Sequence, residues 1–311
     1  MNPRHWLLTT LTVTAALVAC CAAVNATVDP YGIFRDPTGR KLAGYGDDRL
    51  AKYLLNSRYV PANFDSLLIG PSVSANWPVA DIKTLSLYNE SLNGGDIAEL
   101  KSLVDNSMVS WRPKVALLIV TPYVTLSHEF KTVSMTPSLR SRALGSLNLV
   151  YAYKEWMLHE LGRATPNFDP VGSTDFEEQR RIPLNAVLKS LLDPAKPGFD
   201  IDPEAMQAYR GLITELQARE VPIVFIIPPM TDELYRPKQE ALTTYATMLV
   251  RMGTKRDRVI DFTSDEFKDL RSDEADNFTD GVHLRRSAAA KLTSIVDQRL
   301  QVWAGQWGWK R

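Results

Sequence analysis

The sequence predicts an α/β domain with a doubly wound, mainly parallel sheet flanked by helices, preceded by one apolar N-terminal segment. Three observations carry that expectation. Short uninterrupted apolar runs recur at Leu67–Ile69, Val115–Val120 and Val221–Ile227, as strands buried on both faces require. Helical patterns alternate with them, as in successive βα units. The 311 residues are 45% hydrophobic and carry 36 basic and 36 acidic side chains, enough chain for one large core and too balanced a charge for a general nucleic-acid binder.

Taken in order, the chain opens on Trp6 to Val28, which holds no charged residue and would run about 34 Å as a helix, long enough to span a bilayer. Three fates are open to it. Val24-Asn25-Ala26 offers small residues to a signal peptidase, Leu17-Val18-Ala19-Cys20 resembles a bacterial lipobox with Cys20 as the lipidated residue, and an uncleaved signal anchor is favoured because the apolar run continues to Val28. Each fate makes the main domain extracytoplasmic, periplasmic or at the cell surface. The orientation signal from Arg4 is weak, with Arg35, Arg40 and Lys41 on the other side. Cys20 and Cys21 are the only cysteines, so the exported domain is expected to fold without a disulfide. Asp29-Pro30-Tyr31-Gly32 breaks the helix, residues 29–58 read as a polar, glycine-dotted juxtamembrane linker, and residues 59–311 as the α/β domain.

The stretch Asp65 to Trp77 organises the rest. Its brief apolar run ends on Gly70, which permits a tight strand-to-helix turn, and delivers Ser72 to the carboxyl edge of the sheet, where open α/β sheets bind ligands. A serine hydroxyl becomes a nucleophile only with a base in reach. The chain has four histidines. His5 precedes the apolar segment, His159 lies in a helical pattern that suits a surface or core residue, and His128 is a weak alternative. His283, in Asn277-Phe-Thr-Asp-Gly-Val-His-Leu284, has Asp280 three residues before it, an acid placed to orient one imidazole tautomer. Asp261 at a strand end and Asp276 are further carboxylates nearby; a strand-end cap is the expected role of Asp261.

The G-P-S of Gly70–Ser72 with the D-G-V-H of Asp280–His283, in that order, resembles the SGNH/GDSL hydrolase superfamily, which implies an SGNH/flavodoxin-like fold with Ser72, Asp280 and His283 as catalytic residues. The resemblance spans roughly residues 65–300 on a handful of matching positions. It further implies an oxyanion hole from the amide of Ser72 and from Gly94 or Gly95 of the Asn93-Gly94-Gly95 block, where bare backbone approaches closely. The chain departs from the family in two places. Its G-D-S is G-P-S, and no asparagine follows the third strand at Val120-Thr121-Pro122-Tyr123, which leaves the Tyr123 hydroxyl as a possible third donor. Membrane-anchored polysaccharide O-acetyltransferases of the alginate-acetylation type are similar in keeping Ser, Asp and His within loosened blocks.

The remaining elements follow the same alternation. A strand at Thr84–Tyr88 precedes a helix with Asp96 as its N-cap; Pro203–Arg219, Thr231–Met252 and Arg285–Trp303 read as helices, and Arg258–Phe262 as the last strand. Residues 123–203 read as a largely helical insertion that shapes the substrate cleft or binds a partner. Its Tyr151, Tyr153 and Trp156 stand at core-like helical spacing and are alternatively sugar-stacking residues. Trp303, Trp307 and Trp309 suit packing, a sugar platform or a membrane interface.

No metal motif, Walker loop or dinucleotide fingerprint is present, so no cofactor and no metal are expected. The leading expectation is a serine esterase or O-acyltransferase acting on acyl, typically acetyl, esters of cell-surface polysaccharide. Transfer would require a multi-spanning membrane partner to supply the acyl group. The alternative is a non-catalytic polysaccharide-binding or assembly protein on the same fold.

Overall fold

The computed structural model describes residues 3–127, 147–175, 198–272 and 277–308. Five parallel strands form one sheet: β1 (Ser66–Ile69), β2 (Leu87–Asn89), β3 (Ala116–Ile119), β4 (Ile223–Ile227) and β5 (Arg258–Asp261), in the order β2-β1-β3-β4-β5. The chain moves outward to β2 and then returns past β1 to β3, so the order reverses beside β1 and opens a crevice at its carboxyl end. The expected α/β architecture is therefore the observed one.

Alternate residues of each strand feed two separate cores. Leu67 and Ile69 face the first, with Ala116, Leu118 and Phe225, under α2 (Asp48–Leu55), α3 (Tyr59–Asn63) and α5 (Ile97–Ser107). Leu68 faces the second, with Leu117, Ile119 and Val224, under the C-terminal helix. Burial on both faces is why these strands read as continuous apolar runs. The capping box of α5 pairs Asp96 and Glu99, whose side chains each accept from the other's amide. Between β3 and β4 lie α6 (Leu147–Glu160) and α7 (Pro203–Ala218), and α4 (Ser72–Ala75) follows β1.

Three expectations change. Residues 29–58 are not a solvated linker: α2 buries six of its eight residues, and the Asp29 carboxylate, 1% exposed, accepts from the amides of Ile33, Phe34 and Arg35 and pairs with Arg40 at 3.0 Å. The helix expected over Thr231–Met252 is broken into α8 (Asp232–Tyr235), a 3-10 turn and α9 (Gln239–Val250), because Pro237 has no N–H to continue the ladder. Strand β2 starts three residues late, since the Asp297 carboxylate takes the amides of Lys83 and Thr84. After β5 come α10 (Lys268–Ser272) and α11 (Arg286–Gln306). At the other end α1 (Pro3–Val28), 26 residues long, is long and apolar enough to cross a membrane.

Candidate active site

Ser72 is the first residue of α4, where the chain turns sharply off β1. The turn is tight enough that a Cβ on Gly70 would lie 2.4 Å from Ser74 Oγ and 2.5 Å from Ile119 Cγ1, so glycine is required there. Pro71 forms a parallel bridge to Leu92, and the Leu92 amide donates to the Gly70 carbonyl at 3.0 Å. Ser72 is left half-buried at the sheet's carboxyl edge.

His283 is presented by a small hairpin. Phe278 bridges Leu284, the Thr279 amide donates to the His283 carbonyl at 2.9 Å, and Gly281 turns the chain at φ +97°, a conformation that favours glycine. Two bonds dock this hairpin on the sheet's edge: the Thr231 amide to the Gly281 carbonyl at 2.9 Å, and Asn76 Nδ2 to the Leu284 carbonyl at 2.5 Å. Asn76 closes α4, so the helix of Ser72 and the hairpin of His283 are held by one side chain. Asn76 drew no notice in the sequence, since nothing local marks a contact across 208 residues.

The three side chains form a continuous chain. His283 Nε2 lies 2.9 Å from Ser72 Oγ, and Nδ1 lies 2.7 Å from Asp280 Oδ2. A carboxylate only accepts, so the ring proton sits on Nδ1 and Nε2 faces the serine as acceptor. Burial alone would raise the Asp280 carboxyl; the hydrogen bond and charge of His283, with the His283 and Val282 amides, outweigh it and hold the group below the ordinary aspartate range. Asp261 does not compete: its Oδ1 accepts from the amide and hydroxyl of Thr263, at 2.9 and 2.6 Å, as a strand-end cap. His159 bonds the Ala164 carbonyl on an exposed helix end. His128, Asp276 and Trp309 lie outside the described residues.

The oxyanion donors are arranged differently from the expectation. The Gly95 amide donates to the Leu92 carbonyl at 3.2 Å and closes a turn, which removes it as a donor. Gly94 is exposed at φ +58°, with its carbonyl held by Arg49. Among the described residues the amides of Ser72 and Gly94 have no acceptor. Burial and the negative field of Asp280 push the Tyr123 phenol far above its usual range, so it stays a neutral donor at any working pH. Thr121 Oγ1, in the same segment, is buried without a partner.

Beneath α4 lies a buried polar layer. Lys52 Nζ donates to the carbonyls of Asn89, Ser91 and Gly172, at 2.7, 2.7 and 2.9 Å. Ser91 Oγ meets Ser74 Oγ at 2.7 Å, and Asn89 Nδ2 donates to the carbonyls of Ser74 and Ala75. Lys52 thus holds, through Asn89 and Ser91, the underside of the turn that carries Ser72. Glu90 is fully buried here with neither carboxylate oxygen bonded. Burial pushes its carboxyl up to about 7 against the pull of the Lys52 charge, and burial brings the Lys52 ammonium down to about 8.

A cleft of about 320 Å³ lies beside the His283 hairpin, lined by Asn76, Phe168, Ser173, Thr279, Leu284 and Arg286 among others. Thr279 and Leu284 flank His283, and the lining is rich in donors and acceptors. Among the described residues no three His, Cys, Asp or Glu side chains converge as metal ligands.

No family model and no curated protein matches the chain. Several solved structures are similar in fold. A Streptococcus pneumonia protein described as a platelet activating factor aligns at 12% identity and a TM-score of 0.46, covering 81% of this chain and 91% of its own. A G-D-S-L family lipolytic protein from Desulfitobacterium hafniense aligns at 10% and 0.40, covering 75% and 97%. An acetyl xylan esterase aligns at 13% and 0.41, covering 75% and 98%. At such identities the likeness says nothing of chemistry, which rests on the geometry of Ser72, His283 and Asp280.

Proposed function

We propose that the chain is a serine enzyme of the SGNH/GDSL type that processes acyl esters, with its domain held outside the cytoplasm by α1. The observation that carries this reading is the unbroken contact series Ser72 Oγ, His283 Nε2 and Nδ1, Asp280 Oδ2, at 2.9 and 2.7 Å. Tight turns and hairpin docking that meet at one hydroxyl have no structural need there, because Ser72 is half-exposed and could be any small residue.

In the mechanism, Ser72 Oγ attacks the ester carbonyl as its proton passes to His283 Nε2. Asp280 stabilises the imidazolium and keeps the ring oriented. The oxyanion meets the Ser72 and Gly94 amides and the Tyr123 hydroxyl. His283 then gives its proton to the departing alcohol, leaving an acyl-serine. Water, or a hydroxyl of a polysaccharide, then gives its proton to His283 as it takes the acyl group, and His283 passes that proton to the departing Ser72 Oγ. The first acceptor makes an esterase, the second an O-acyltransferase served by a membrane-embedded acyl donor. The cleft beside the His283 hairpin, with Phe168 among side chains that can hydrogen-bond such as Asn76, Ser173 and Thr279, suits a sugar acceptor.

The test is the full chain in detergent with 4-nitrophenyl acetate, following nitrophenol release and the mass of the Ser72 peptide. A burst with an acetyl adduct on Ser72, absent from Ser72→Ala at equal thermal stability, is the expected result. Turnover that survives Ser72→Ala overturns it. Adding oligosaccharide acceptors then separates transfer from hydrolysis.

A further inference from the structure

Helix α6 is packed against the domain by one side only. Leu149 and Ala152 are buried, Tyr153 and Trp156 pack on the first core, and Glu155 accepts from the Gly46 amide at 2.5 Å. A helix docked in this way ordinarily turns a polar face to water. Here the outer face carries Val150 (62% exposed), Tyr151 (57%), Met157 (53%) and, one residue beyond the helix, Leu161 (61%). Val150, Lys154, Met157 and Leu161 recur at helical spacing, so they form one stripe with exposed Lys154 within it.

This patch has a specific neighbour. Outside α1, five of the eight large hydrophobic side chains that stand exposed among the described residues are these four and Phe34, in the turn where α1 ends. Tyr153 of α6 donates its hydroxyl to Asn25 Oδ1 at 2.8 Å, three residues before the end of α1. Arg35 Nη1 and Arg40 Nη2 bond the carbonyls of Thr27 and Val28, fixing that end to the domain. As a helix α1 is about 39 Å long against a hydrocarbon layer of about 30 Å, so about six residues project into the interfacial layer. Asn25 lies near the domain-side end of α1, and α6 is joined to it there.

We propose that the outer face of α6, together with Phe34 just beyond the end of α1, lies in the interfacial layer of the bilayer that α1 crosses. The chemistry matches that layer: Tyr151 is apolar with a polar tip, Lys154 can lay its stem on the apolar stripe and keep its charge at the headgroups, and Val150, Met157 and Leu161 enter the acyl boundary. The proposal rests on α1 being a membrane helix, as the proposed function has it. The active domain then lies against the membrane on two supports, α1 and α6.

The test uses the full chain with Cys20 and Cys21 changed to alanine and a single new thiol, Met157→Cys or Val302→Cys, carrying a fluorophore. Val302 is exposed on α11, on the opposite face of the sheet. Each protein is reconstituted in phosphatidylcholine vesicles containing headgroup-spin-labelled lipid. The expected result is flotation with the vesicles and quenching at 157 at least about threefold stronger than at 302, as burial in the headgroup boundary requires. Flotation with equal quenching at both positions overturns the proposal and leaves α1 as an anchor; a second copy or a protein partner on this face would give that outcome. Failure to float overturns the anchor reading, and this proposal with it, while acyl turnover in the same samples reports separately on the catalytic reading.

Discussion

His283 Nε2 stands 2.9 Å from Ser72 Oγ although 211 residues separate the two in the chain. That proximity depends on Asp280 on one side and on Asn76 on the other, and each dependence is measurable.

Asp280→Asn keeps the shape of the contact but replaces an acceptor with a group that can donate to Nδ1, which moves the ring proton to Nε2 and blinds it to the serine. The expected fall in kcat is on the order of 10³–10⁴, with the fold retained. Steady-state kinetics on an activated acetyl ester measure it. A rate within threefold of the wild type would remove Asp280 from the machinery.

Asn76→Ala cuts the direct bond between the helix of Ser72 and the hairpin of His283. Positioning losses of this kind cost about 10- to 100-fold in rate, and the deficit is expected in kcat with KM little changed. Equal losses in both parameters would make Asn76 a substrate-binding residue instead.

Lys52→Met leaves three buried carbonyls without their donor and Glu90 without its countercharge. The expected destabilisation is about 3–5 kcal/mol, read from denaturant unfolding. A loss below 1 kcal/mol would show that water replaces the ammonium.

Glu90 gives the molecule a sloping pH response. In the unfolded chain its carboxyl titrates near 4.5, and in the folded protein near 7. Between those values the folded state keeps a proton that the unfolded state has released, so stability falls as pH rises, by at most about 1.4 kcal/mol per pH unit. Below the lower value the group contributes nothing. Melting temperatures from pH 5 to pH 7 are expected to fall less steeply in Glu90→Gln than in the wild type; parallel curves would place the titration elsewhere.

What the sequence made legible follows from where information is local. Strands β1, β3 and β4 stand out because continuous apolar runs mark strands buried on both faces, and Gly70 and Ser72 stand out because they end the first of those runs. Lys52 was invisible: a single lysine in Asp-Arg-Leu-Ala-Lys-Tyr-Leu-Leu looks like a surface charge, and only the arrival of Asn89, Ser91 and Gly172 from distant segments makes it a buried one. The segment 29–58 reads as a loop for a related reason: its glycines and charges signal one, while the Asp29 carboxylate that organises it acts through backbone amides, which have no sequence signature. Gly95 faltered as a donor because the direction of an amide is set by the turn and not by the residue type.

The packed segment after α1 also sets how far the domain can range from that helix. A free tether of thirty residues would let a domain sweep roughly 30 Å from its anchor point. With Asp29 gripping the backbone that follows it and Arg40 gripping the end of α1, that leash is wound in. Ser72 is therefore held at one height and one bearing relative to α1.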